Sequence, residues 1–119
     1  MAPVDLETRT TDFALRVIRL YSALPKKTEA QVLGKQLLRC GTSIGAHYRE
    51  AKRAKSSLDF ISKIEGALQE LDETSYWLEL IERSEMIPAR RLEPLRNEAI
   101  ELMKILVTVV KRAKERAKR

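Results

Sequence analysis

Residues 57–81 read SLDFISKIEGALQELDETSYWLELI, and this stretch decides the fold class. Ile61, Ile64, Leu68, Leu71, Ser75 and Leu78 follow one another at intervals of 3, 4, 3, 4 and 3, the seam of an amphipathic helix that packs on a partner helix. Trp77, Leu80 and Ile81 add apolar bulk at the far end, while Lys63, Glu70, Asp72, Glu73, Glu79 and Glu82 occupy much of the remaining surface. Ser56 or Ser57 is placed to cap this helix, with Asp59 in the first turn at the positive end of the helix dipole. The element is expected to end near Ser84–Ile87.

The preceding segment repeats the pattern. Leu33, Leu37, Cys40, Ile44, His47 and Ala51 recur at 4, 3, 4, 3 and 4, predicting a helix from about Thr28, as N-cap, to about Arg53. Gly34, Gly41 and Gly45 are unusual there, since each costs a helix roughly 1 kcal/mol against Ala. Either the helix breaks near Gly41, or the glycines admit another backbone closely. The spacing passes through without a slip and favours the second. Upstream, Phe13, Val17, Tyr21 and Leu24 mark one face of a helix running roughly from Leu6 to Ser22, with Thr10 or Thr11 as the expected cap and Pro25 as its stop. Downstream, Ala99, Met103, Leu106 and Val110, broadened by Leu95, Leu102 and Val107, predict a fourth helix beginning at or after Pro88. Pro88 and Pro94 each suit a first helical position, so the status of 88–93 stays open.

Four amphipathic helices with short connections call for an all-α, antiparallel, up-down-up-down four-helix bundle, one domain over 1–119 with a basic extension at 111–119. The 119 residues suffice for one modest core, and 44% hydrophobic with 34% charged residues excludes a disordered chain. Cys40 is the single cysteine, which excludes an intrachain disulfide and points to a reducing compartment. The N-terminus lacks a signal-peptide pattern and no segment approaches a membrane span, so a cytoplasmic protein is expected.

The charge is +6, and its distribution is uneven. Residues 111–119 hold six basic side chains and one acidic, a net +5, whereas the other 110 hold 17 and 16, a net +1. Within the body, residues 39–55 carry +4 and residues 56–110 carry −5. Such segments serve helix or subunit pairing as well as an external partner.

Little supports catalysis. Cys40 and His47 share a helix face but sit about 10 Å apart, too far for one metal ion. No Glu-x-x-His pattern of di-iron bundles is present. Ser43 and His47 lie at i and i+4, within reach, yet such a pair reads more simply as a polar contact on a helix face. Gly41-Thr42-Ser43-Ile44-Gly45 lacks the Lys and the strand of a phosphate loop. No enzyme activity, metal or cofactor is expected.

Two basic clusters remain. Arg39, Arg49, Lys52, Arg53 and Lys55 surround Tyr48, with Arg49, Lys52 and Arg53 on one patch. They read either as partners of the acidic third helix or as phosphate contacts, with Tyr48 stacking on a base. Lys111, Arg112, Lys114, Arg116, Lys118 and Arg119 wrap around a helix end. They read either as a solubilising terminus or as a non-specific phosphate-binding arm. A membrane-surface helix is disfavoured, because alanine is the sole apolar residue type among the last eight.

Several runs together carry a family resemblance: Leu24-Pro25; Leu33 with Gln36-Leu37-Leu38-Arg39; Thr42-Ser43-Ile44-Gly45-Ala46-His47-Tyr48-Arg49-Glu50-Ala51; Asp59-Phe60 with Lys63-Ile64; Glu70 with Asp72-Glu73-Thr74; and Tyr76-Trp77-Leu78-Glu79-Leu80. Over about residues 13–110 the chain resembles the four helix bundle protein family, also called the 23S rRNA intervening sequence protein or S23 ribosomal protein family. The resemblance implies an antiparallel bundle assembling as a homopentamer, in some cases encoded within insertions in large-subunit rRNA genes. A related branch is similar to the accessory variability proteins of diversity-generating retroelements, which implies binding of nucleic acid and of a partner reverse transcriptase. It implies no catalytic residues. His47 departs from the Asn that relatives typically carry; its ring is larger and can take a charge.

The expected function is therefore a non-enzymatic, oligomeric accessory protein that binds structured RNA or DNA through basic surfaces and recruits a protein partner. The alternative is a protein-only homo-oligomeric scaffold without nucleic-acid affinity. Trp77, Tyr76, Tyr48 and Phe60 exceed what a thin core easily hides, which favours oligomerisation on either reading.

Overall fold

The computed structural model describes residues 5–118. Its helices are α1 (Leu6–Ala23), α2 (Thr28–Lys52), α3 (Ser57–Arg83) and α4 (Ala89–Ala117), so the four expected segments all form.

α1 begins one turn before the expected caps. The Asp5 carboxylate accepts the Thr8 backbone N–H at 3.0 Å and the Thr8 hydroxyl at 2.7 Å, which caps the helix. Thr10 instead turns inward, and its hydroxyl donates to the Leu6 carbonyl at 2.7 Å. With that bond made, Thr10 is buried in line with Leu6, Phe13 and Val17.

α2 is unbroken through its glycines, and they lie against α1. A Cβ on Gly41 would sit 2.8 Å from Val17 Cγ2, one on Gly34 would sit 2.6 Å from Leu24 Cδ1, and one on Gly45 would sit 3.1 Å from Thr10 Oγ1. Close approach is thus the reason for these residues. The cap of α2 is Lys27, which makes no side-chain capping bond, and Thr28 is the first helical residue rather than the cap.

α3 is capped by Ser56, whose hydroxyl oxygen accepts the Asp59 N–H at 3.0 Å. Ile61, Ile64, Leu71, Leu78 and Ile81 are buried as expected, but Ala67 and Thr74 complete the line in place of Leu68 and Ser75. The buried line still repeats every seven residues, as Ile64, Leu71 and Leu78 with Ala67, Thr74 and Ile81, so small residues take positions one before the larger Leu68 and the polar Ser75.

α4 settles the status of 88–93. Pro88 is the cap, and Pro94 lies inside one continuous helix. Leu92 and Leu95, 1% and 5% exposed, anchor the turns on either side of the lost backbone bond.

Side-chain contacts fix the direction of each pair. Glu7 meets Lys52, while Val17 meets Gly41. Glu50 meets Lys63, while Arg39 meets Glu70. Glu82 meets Arg96, while Glu65 meets Lys114. In every case an advance along one helix matches a retreat along the next, so consecutive helices are antiparallel. α1 and α4 make the slightest contact of the neighbouring pairs, and their seam stays partly open.

Candidate functional site

The antiparallel order brings the start of α1, the α2–α3 corner and the last turns of α4 to one end of the bundle. There Lys52, Lys55 and Arg116 border a shallow hollow beside Phe60 and Ala113. Two clusters separated by more than fifty residues in sequence thus meet at one place.

The tail is more structured than a fraying terminus. α4 remains helical to Ala117, Ala113 is buried, and Lys114 forms a 2.9 Å ion pair with Glu65 of α3. Lys111, Arg112, Arg116 and Lys118 are exposed and form no ion pair among the described residues. Arg119 lies outside the described residues.

The 39–55 cluster divides. Arg39 reaches α3, 3.5 Å from both Glu70 and Glu73, as expected for helix pairing. Arg49 and Lys52 reach α1 instead of α3. Arg49 donates to the Thr11 hydroxyl oxygen at 3.1 Å, and Lys52 pairs with Glu7 at 3.0 Å. That contact holds the Glu7 carboxyl below its ordinary range and the Lys52 ammonium above its own, through the hydrogen bond first and charge attraction second. Arg53 and Lys55 form no ion pair among the described residues and stand at the corner itself. Tyr48 is half-buried against the core, with Lys52 among its charged neighbours. The α2 direction explains these differences: its α1-facing side already holds the glycines, and Arg49 and Lys52 continue that side.

Ser43 and His47 do not join. The Ser43 hydroxyl donates to the Arg39 carbonyl at 2.7 Å, while His47 Nδ1 is buried beside Gly66, 3.9 Å from a Glu50 oxygen and without a hydrogen bond. Cys40 is buried, 3.2 Å from the Thr74 hydroxyl, and burial pushes its thiol pKa up. A thiol so placed is a poor nucleophile. Among the described residues, no group of three His, Cys, Asp or Glu side chains is placed to hold a metal ion, and no helix is long and apolar enough to cross a membrane.

The model of the 23S rRNA-intervening sequence protein family matches residues 4–108. The chain belongs to that family. Among solved structures, a protein of unknown function from the S23 ribosomal protein family of Bacteroides thetaiotaomicron VPI-5482, determined at 1.70 Å resolution, is similar to it. The two are 43% identical with a TM-score of 0.84, over 88% of this chain and 97% of the other. No curated protein matches the chain. The family match ends at residue 108, ahead of the basic residues from Lys111 onward.

Sequence reasoning missed a further set of cations. Arg16 and Arg19 of α1 and Arg91 of α4 border the open α1–α4 seam. Their i, i+3 spacing in α1 was visible. Their proximity to Arg91 needed the register of the two helices.

Proposed function

We propose that this 23S rRNA-intervening sequence protein is a non-enzymatic, oligomeric accessory protein that binds structured RNA or DNA through the basic end of its bundle. The observation that carries this reading is the meeting of Lys55 at the α2–α3 corner with Arg116 of α4 around one hollow. Flanking cations at Arg53, Arg112 and Lys118 have no internal ion pair among the described residues, which leaves them free for phosphates. Arg39, Lys52 and Lys114 are already committed to carboxylates and contribute less.

The test is fluorescence anisotropy with labelled structured RNA and duplex DNA across a salt series. Deleting the tail would also remove buried Ala113, so the variant is Lys111→Gln, Arg112→Gln, Arg116→Gln and Lys118→Gln together. Wild-type binding is expected to fall steeply with salt, and the variant to bind more weakly with a smaller slope. No binding by the wild type at low salt would overturn the proposal.

A second reading, a protein-only homo-oligomeric scaffold, draws on different residues. Tyr76, Ile100 and Val107 are 54%, 52% and 48% exposed. The register set by Glu82–Arg96 and Glu65–Lys114 places all three along the α3–α4 face. An apolar strip of this kind suits a second copy or another protein. Tyr76→Glu with Val107→Glu should lower the oligomer mass in light scattering; an unchanged mass would remove this face from assembly.

A further inference from the structure

We infer that the groove between α1 and α4 is a second binding site, which takes a single-stranded segment of nucleic acid. The inference rests on the nucleic-acid reading above and places a contact away from the basic end.

Two hollows of about 230 and 450 Å³ run end to end along this seam and share Arg16 and Arg19. Arg91 borders the first from α4. None of these three guanidinium groups has an ion pair or hydrogen bond among the described residues, although other arginines of the bundle do. The groove's acidic groups are Glu98 and Asp12 at one end. Glu98 is taken up by Arg9, which donates to both its oxygens at 3.0 and 2.6 Å, so this pair adds no net charge to the groove. Asp12 remains beside Arg16 and leaves the groove net positive.

The shape narrows the ligand. Both hollows are open, which suits an extended strand better than an enclosed metabolite. Half-buried Leu20 gives the first hollow an apolar floor between the arginines, backed by the core side chains Leu92 and Leu95. Guanidinium groups pair with phosphates through a planar fork and stack on bases, and aliphatic side chains accept the face of an unstacked base. A duplex offers phosphates but covers its base faces, so the floor favours a single strand. The looseness of the α1–α4 contact leaves room for it.

The experiment is anisotropy with labelled oligouridine and a duplex of equal length, across a salt series, using Arg16→Ala/Arg91→Ala, Arg16→Lys/Arg91→Lys and the four-Gln variant of the basic end. The double Ala variant should bind oligouridine at least about tenfold more weakly. Its salt slope should drop by about 1.4, two phosphates' worth for a single strand. The Lys pair should recover only part, because it restores charge without the fork. The duplex should be less affected, and the loss should add to that of the four-Gln variant. If the double Ala variant melts early, Arg19→Ala takes its place, with weaker oligouridine binding and a slope drop of about 0.7, one phosphate's worth.

Oligouridine binding equal to wild type in the double Ala variant overturns the groove, and leaves the basic end standing if the four-Gln variant is impaired. Absence of binding by the wild type overturns both. Capture of a labelled polyglutamate peptide that depends on Arg16 and Arg91, with oligouridine indifferent to them, assigns the groove to an acidic protein partner and overturns the proposal.

Discussion

Gly41 of α2 rests on Val17 of α1 so closely that a Cβ would lie 2.8 and 2.9 Å from the two Val17 methyl carbons. Val17 is fully buried and β-branched, so it cannot swing aside. Gly41→Ala gains roughly 1 kcal/mol of helix propensity, but overpacking costs about 1–3 kcal/mol. The difference is a net destabilisation of up to about 2 kcal/mol, read in urea melts. Adding Val17→Ala makes room, so the double variant should lose less than the two single losses combined. Strict additivity would show that the helices simply move apart.

Glu85 gives a prediction of opposite sign. It is a non-glycine residue with φ of 60°. Its N–H donates to the Glu82 carbonyl at 2.9 Å, and that of Met86 to the Ile81 carbonyl at 3.2 Å. This is the Schellman pattern, with Glu85 where glycine is usual. Glu85→Gly should stabilise the bundle by about 1 kcal/mol, because an L side chain costs roughly 1–2 kcal/mol in this conformation and added chain entropy returns part of it. Thermal melts read the change, and a lower melting temperature would refute the assignment of strain.

That turn also shows where the sequence stops being legible. The seam through Ile61, Ile64, Leu71 and Leu78 is visible because apolar spacing and burial have the same physical origin. The end of α3 was bracketed only broadly, since Glu85 carries no sign of its positive φ. Asp5 is hard to single out as the cap in the sequence, because Thr10 and Thr11 offer the same chemistry nearer the apolar run. Thr10 proved to be core, its hydroxyl satisfied within the helix. In the site, Arg53, Lys55 and the tail were legible as charge. The exchange of Arg49 and Lys52 toward Thr11 and Glu7, and the meeting of Arg16, Arg19 and Arg91, depend on which helix lies beside which.

Cys40 reports on the α2–α3 seam. Its sulfur is buried, and desolvation holds its pKa above the ordinary thiol value. Since the thiolate is the reactive form, a thiol reagent should label the folded protein slowly and the urea-unfolded protein completely. The native labelling rate should follow the unfolding equilibrium as urea is raised. Fast labelling without denaturant would mean that α2 and α3 separate locally around Cys40 and Thr74.

Acid should act first at the start of α1. The hydrogen bonds from Thr8 hold the Asp5 carboxyl below its ordinary pKa of 3.8, and Lys52 holds Glu7 below its ordinary 4.5. A carboxyl depressed in the folded state binds its proton more readily when unfolded. The stability it contributes is therefore fully present above the ordinary value and is lost as the pH falls through the depressed one. Lys52 is shifted upward, so its share is intact at neutral pH and fades only in strong alkali. Melting temperature should decline as the pH drops from about 4.5, and both Asp5→Asn and Lys52→Met should make that decline shallower. Both groups are exposed, so the effects are small and weaken in high salt. If neither variant changes the acid slope, the start of α1 does not govern acid unfolding.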